Sequence, residues 1–239
     1  MASIDDQVRS ALAWLQRRGT KRNREGMARY GIVARKVFGV SMSGMHQLSQ
    51  RLGRNHALAG ALWHSGWYEA RLLASFVDEP ERVTPAQMDR WAHDFENWAD
   101  CDTVCFHLFD RTPHAWTKVR QWSRSPEEFV KRAAFALLAG LALHDKHSGD
   151  APFRRGLRLV ERAAGDDRNF VKKGVNWALR SIGNRSAALH RAALAVARRL
   201  AAGPPGPARW VGSDAVRDLT RPIVARRLAA RAARRRSRT

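Results

Sequence analysis

Asn169-Phe170-Val171-Lys172-Lys173-Gly174-Val175-Asn176-Trp177-Ala178-Leu179-Arg180 repeats its apolar residues at a helical interval. Wound at about 100° per residue, Val171, Val175, Ala178 and Leu179, with Ile182 beyond, fall on one stripe at i, i+4, i+7, i+8 spacing. That is the face a helix buries. By the same arithmetic Trp177 lies about 145° from the centre of the stripe, between Lys173 and Arg180. A large aromatic set among cations and turned from the core suits a polyanion with flat rings to touch, which is nucleic acid. The competing reading is a second layer of helices over Trp177, since tryptophan is highly buried on average.

The rest of the chain reads the same way. Thr84-Pro85-Ala86-Gln87 is a capping box with proline at the first helical position, and Ser125-Pro126-Glu127-Glu128 repeats it. Met88, Trp91, Ala92 and Phe95 form the stripe after the first, with Trp91 in the core. Val130, Ala134, Leu137, Leu138 and Leu141 form the stripe after the second. Gly53 and Gly183-Asn184 are helix stops. Alternating strand-like runs are missing, so the fold class is all-α. Helices of about 10–18 residues on short connections predict an α-solenoid of stacked antiparallel pairs, with a compact bundle as the other arrangement. The Gly203-Pro204-Pro205-Gly206-Pro207 break predicts a helical-repeat domain over residues 1–202 and an Arg-rich tail over 203–239.

Composition narrows the partners. Lys and Arg number 43 against 22 Asp and Glu, a net charge of +21. That excess points to DNA, RNA or an anionic surface. Part of it sits in Arg226–Arg238, but the middle of the chain also carries Arg and Lys on helical faces. Cys101 and Cys105 are the 2 cysteines, one helical turn apart, too few for a disulfide framework. Together with His107 they lack a second Cys/His pair at finger-like spacing, so no metal and no cofactor is expected. The start of the chain, with Asp5 and Asp6, predicts no signal peptide, and no segment approaches the length of a membrane span. A monomer in the cytoplasm, at the nucleoid, is the expectation.

Three blocks in order resemble the HEAT-like-repeat DNA alkylation repair proteins, relatives of the bacterial alkylpurine DNA glycosylases. The first is Arg29-Tyr30-Gly31-Ile32 with Phe38-Gly39-Val40-Ser41. The second runs through Leu62-Trp63, Glu69-Ala70-Arg71 and Asn97-Trp98-Ala99-Asp100-Cys101-Asp102-Thr103-Val104-Cys105. The third is Phe170 to Arg180, and the whole resemblance spans about residues 25–200. It implies a curved stack of antiparallel helix pairs whose concave, basic surface holds double-stranded DNA. It also implies that Trp177 packs against the lesion-bearing nucleotide and that Arg132 meets the DNA backbone. Helical arithmetic separately places Arg132 about 160° from its own apolar stripe, hence outward. A plain solvated cation is the alternative for Arg132.

The departure from the family is at its chemistry. Active members read Trp-Asp-Thr-Val-Asp, where this chain reads Cys101-Asp102-Thr103-Val104-Cys105. In the family reaction the carboxylate supports positive charge developing on the deoxyribose. A thiol with a reference pKa of about 8.5 is mostly neutral at pH 7, and Asp102 beside it opposes a thiolate further. Cys105 therefore cannot replace that carboxylate directly, and small buried packing residues is the plainer reading of both cysteines. Asp102 or Asp100 remains to supply the charge, and Trp98 to supply the aromatic.

The leading expectation is a DNA-binding protein of this family, contacting alkylated duplex through Arg132, Lys172, Lys173, Trp177 and Arg180. Its implied activity is monofunctional hydrolysis of the N-glycosidic bond of cationic N3- or N7-alkylpurines, with Asp102, Cys105 and Trp177 at the catalytic position. The alternative is a binder of DNA structure or damage that has lost the catalytic carboxylate. A helical-repeat scaffold for other proteins is the third reading.

Overall fold

The computed structural model describes residues 2–236 and contains fourteen α-helices and one 3-10 turn, with no strand among the described residues. It divides into two compact units, 1–114 and 115–239.

The first unit holds α1 (Ile4–Arg18), α2 (Lys21–Arg29), α3 (Met42–Leu52), α4 (His56–His64), α5 (Tyr68–Val77), α6 (Pro85–His93) and α7 (Trp98–His107). Helices α3, α5 and α7 lie side by side, with α4 turned back on α5 and α1 behind α4. Trp63 and Trp91 stack in the core at 3.9 Å with planes 2° apart. The non-helical segment between α2 and α3 is held by Glu69, which is buried on α5 and accepts the N–H groups of Phe38, Gly39 and Val40 at 3.0, 2.6 and 3.1 Å. Gly39 makes this possible, because its φ is +84° and a Cβ there would lie 2.4 Å from the Thr20 carbonyl oxygen.

The second unit holds α8 (Ala115–Trp122), α9 (Glu128–His144), α10 (Asp150–Ala163), α11 (Asn169–Gly183), α12 (Ala187–Ala201), α13 (Pro207–Leu219) and α14 (Pro222–Arg236). Short connections fold α8 on α9, α10 on α11 and α12 on α13. Successive pairs stack so that α9, α11 and α13 neighbour one another in one layer while α10 packs on α12 in the other. Helix α9 is buried around nearly its whole circumference from Arg132 to Ala142, as expected of a helix apolar on every side. The stripe of α11 is fully covered: Val171, Val175, Ala178, Leu179 and Ile182 are all at 0% exposure.

Three expectations are corrected. The Gly203–Pro207 break is a turn between two packed helices, and α13 beyond it buries Val211, Gly212, Ala215 and Leu219 against its neighbours. Gly212 lets α13 press onto the α12 backbone, where a Cβ would stand 2.3 Å from the Ala201 nitrogen. The expected tail thus begins inside the packed unit, and only its last residues, 237–239 with Arg238, lie outside the described residues. The Gly183-Asn184 stop holds, since α11 ends at Gly183 with Asn184 as its C-cap, and a Cβ at Gly183 would meet Leu219 Cδ2 at 2.6 Å. Ser125 does not cap α9: its hydroxyl accepts from Glu127, and the helix starts at Glu128. Thr84 does cap α6, but the Gln87 amide donates to Asp78 at 2.7 Å instead of closing the reciprocal half of the box.

Candidate nucleic-acid interface

Helix α7 carries the turn that the sequence resemblance marks as catalytic. Its N-terminus is a capping box that the sequence reading did not anticipate: the Asn97 side chain accepts the N–H groups of Ala99 and Asp100 at 2.9 and 3.2 Å. The Asp100 carboxylate in turn accepts from the N–H groups of Glu96, Asn97 and Cys101 at 3.0, 3.2 and 2.7 Å. Burial pushes the Asp100 carboxyl up to about 7, against the pull of those backbone donors and of the Arg71 guanidinium. Asp100 is therefore committed to holding the helix start. Cys101 and Cys105, one turn apart, share the inward side of α7 at 0% exposure, as packing residues. Asp102 projects from the same helix at intermediate exposure. Trp98 is half-buried, and its indole N–H donates to the Tyr30 carbonyl at 2.9 Å.

In the second unit, Asn169, Lys173 and Trp177 line the open side of α11, the first two exposed and Trp177 half-buried. Trp177 is neither core nor fully exposed, and Asn176 beside it is buried and donates to the Val211 carbonyl of α13 at 3.2 Å. The same helix takes up two of the expected cations. The Lys172 ammonium sits 5.1 Å from the ring centre of Trp210, and an Arg180 guanidinium nitrogen is 3.8 Å from Asp218. The Arg180 Nε is buried with no hydrogen-bond partner in the structure.

Arg132 is the clearest correction. It is 6% exposed, and its guanidinium donates to the Phe170 carbonyl at 2.6 Å, joining α9 to the first turn of α11. Its stem rests on Gly174, where a Cβ would lie 3.4 Å from Arg132 Cγ. Helical arithmetic gives an angle from one stripe but says nothing of what covers the far side, and here α11 covers it. The neighbouring ion cluster also escaped the sequence reading: Asp166 accepts from Lys131 at 2.8 Å and Arg168 at 2.6 Å. Arg168 and then Lys131 hold the Asp166 carboxyl well below the usual carboxylate range.

Trp210 was missed too, although the signal was present. It lies about 140° from the Val211, Ala215, Leu219 stripe of α13 by the arithmetic that singled out Trp177. It is 42% exposed. Among the described residues no group of three His, Cys, Asp or Glu side chains is placed to hold a metal ion. No described helix is long and apolar enough to cross a membrane.

Paired helices stacked in layers, with cations and partly covered indoles on α11 and α13, define a HEAT-like repeat protein. The family model for DNA alkylation repair enzymes matches residues 11–219, and the chain belongs to that family. Among solved structures, one is similar over 88% of this chain and 94% of its own, with a TM-score of 0.73 at 18% identity. It represents a new family of proteins related to the HEAT-like repeat DNA glycosylases with affinity for branched DNA structures. No curated protein sequence matches significantly.

Proposed function

We propose that this protein binds DNA, recognising distorted or branched duplex, and does not excise bases. One observation carries the reading: the two side chains of the family's catalytic turn are thiols at 0% exposure, Cys101 and Cys105, while Lys173 of α11 stays exposed and Trp177 stays half-exposed. A buried neutral thiol offers no charge to a developing oxocarbenium ion. Lys173, half-covered Trp177 and the net charge of +21 supply what backbone binding needs. The relative with affinity for branched DNA supports the choice of substrate.

A second reading is favoured by the partial exposure of Asp102 on α7. In it, Asp102 supplies the electrostatic support and the protein hydrolyses the N-glycosidic bond of a cationic N3- or N7-alkylpurine. Such a base is already a good leaving group, so positioning carries much of the rate.

The deciding experiment incubates the full chain with duplex containing 7-methylguanine and measures free base beside a spontaneous-depurination control. The affinities for linear, forked and four-way DNA are measured across a salt series in parallel. Binding that falls steeply with salt, with release at background, is the expected result. Release above background that Asp102→Asn abolishes would establish the second reading instead. Absence of binding to every DNA would remove both.

A further inference from the structure

We propose that Trp210, with the Lys172 ammonium beside it, is a stacking platform for one unpaired base of a single-stranded DNA segment. The inference rests on the DNA-binding reading and adds a site to it.

The ring is presented rigidly. Trp210 stands in the first turn of α13, directly after the Gly206-Pro207 turn, with 42% of its surface open. Two residues further on, Gly212 locks that helix onto the α12 backbone. Next to the ring, the Val211 carbonyl is gripped by Asn176 of α11 at 3.2 Å. An indole on so constrained a turn loses little freedom when a ring stacks on it. The Lys172 ammonium lies over the indole at 5.1 Å from its centre and holds a positive charge against the ring, while 42% of the residue's surface is open.

The charges around it select the occupant. Arg209, next to Trp210 on α13, and Lys173, next to Lys172 on α11, are both exposed and supply cations for the phosphates beside a stacked base. The carboxylates of α13 are already matched: Asp214 pairs with Arg217, and Asp218 with Arg180 and Arg221. An anionic ligand with an aromatic face fits these surroundings. In a duplex each base is stacked between its neighbours and offers no free face, so a base from an unpaired arm or gap is the group that reaches an indole. The platform thus separates a forked DNA from a linear one of the same length.

The test measures fluorescence-anisotropy affinities of the full chain for a linear duplex, a fork with one unpaired arm, and an oligothymidylate. For Trp210→Ala, fork and oligothymidylate affinities are expected to fall about 5- to 100-fold while linear duplex stays within about twofold. Trp210→Phe, which keeps a ring, recovers most of the loss. A melting temperature matching the unsubstituted protein confirms that α13 stays packed. Unchanged fork affinity in Trp210→Ala overturns the platform, as does an equal loss on fork and linear DNA. If the unsubstituted protein binds linear duplex but gains nothing from an unpaired arm, the platform fails and the DNA reading stands. If it binds none of the DNAs, the DNA reading itself fails.

Discussion

Arg132→Ala separates two roles that the family resemblance and the structure assign to one side chain. In the structure Arg132 is 6% exposed, and its guanidinium joins α9 to α11 through the Phe170 carbonyl at 2.6 Å. A hydrogen bond with one charged partner contributes about 1.5–3 kcal/mol. The two methylenes lost on truncation, packed over Gly174, contribute about 0.8 kcal/mol each. Removing the side chain also relieves the desolvation cost of a buried charge, which offsets part of that total. The expected net loss is about 2 kcal/mol, which for a chain of this size lowers the melting temperature by about 4–8 °C. Arg132→Lys keeps a charge but loses the planar fork, and falls between. Thermal unfolding by circular dichroism reads the stability. A salt series of duplex affinities reads phosphate contact, because each contact adds about 0.9 to the slope of log K on log salt. Lower stability with an unchanged slope is the expected pair of results. A melting temperature within about 1 °C of the unsubstituted protein, with the slope reduced by about one, would show a solvated phosphate contact and refute the buried joint.

Trp177→Ala is expected to weaken duplex binding about tenfold, with a stability loss well short of the roughly 3–5 kcal/mol that a buried tryptophan costs; a full-sized fall in denaturant midpoint would place it in the core. Lys173→Gln is expected to lower affinity on all sequences alike and reduce the salt slope by about one, and an unchanged slope would remove Lys173 from the interface. Asp166, held ionised by Arg168 and Lys131, contributes stability that is present above the ordinary carboxylate pKa of about 4 and lost as pH falls below it. Asp166→Asn is therefore less stable than the natural chain at pH 7, with the gap closing in acid; a gap constant between pH 7 and pH 2 would contradict this. Cys105→Asp puts a carboxyl at a site with 0% exposure, which raises its pKa, so the variant loses stability as pH rises from about 4 to neutral. It is expected to release no 7-methylguanine above background, and measurable release would show that position 105 still addresses the sugar.

The sequence by itself determined the helices, the buried stripe of α11, the core position of Trp91 and the basic character of the chain. These follow from the backbone period and from which side chains avoid water, properties that a dozen consecutive residues already contain. The three family blocks determined the membership that the family model bears out over residues 11–219. Only the tertiary structure decided which outward faces stayed outward. Arg132 points away from its own stripe and is buried anyway, by a carbonyl 38 residues along the chain. Lys172 and Arg180 turn to Trp210 and Asp218 of a helix that lies beyond the proline-glycine break. Gly183 ends α11 as the sequence predicts, and only the structure shows that it is also a seat for Leu219. A helical wheel measures angle around one axis, whereas burial depends on which other axes run alongside, and that is set by packing between segments far apart in sequence.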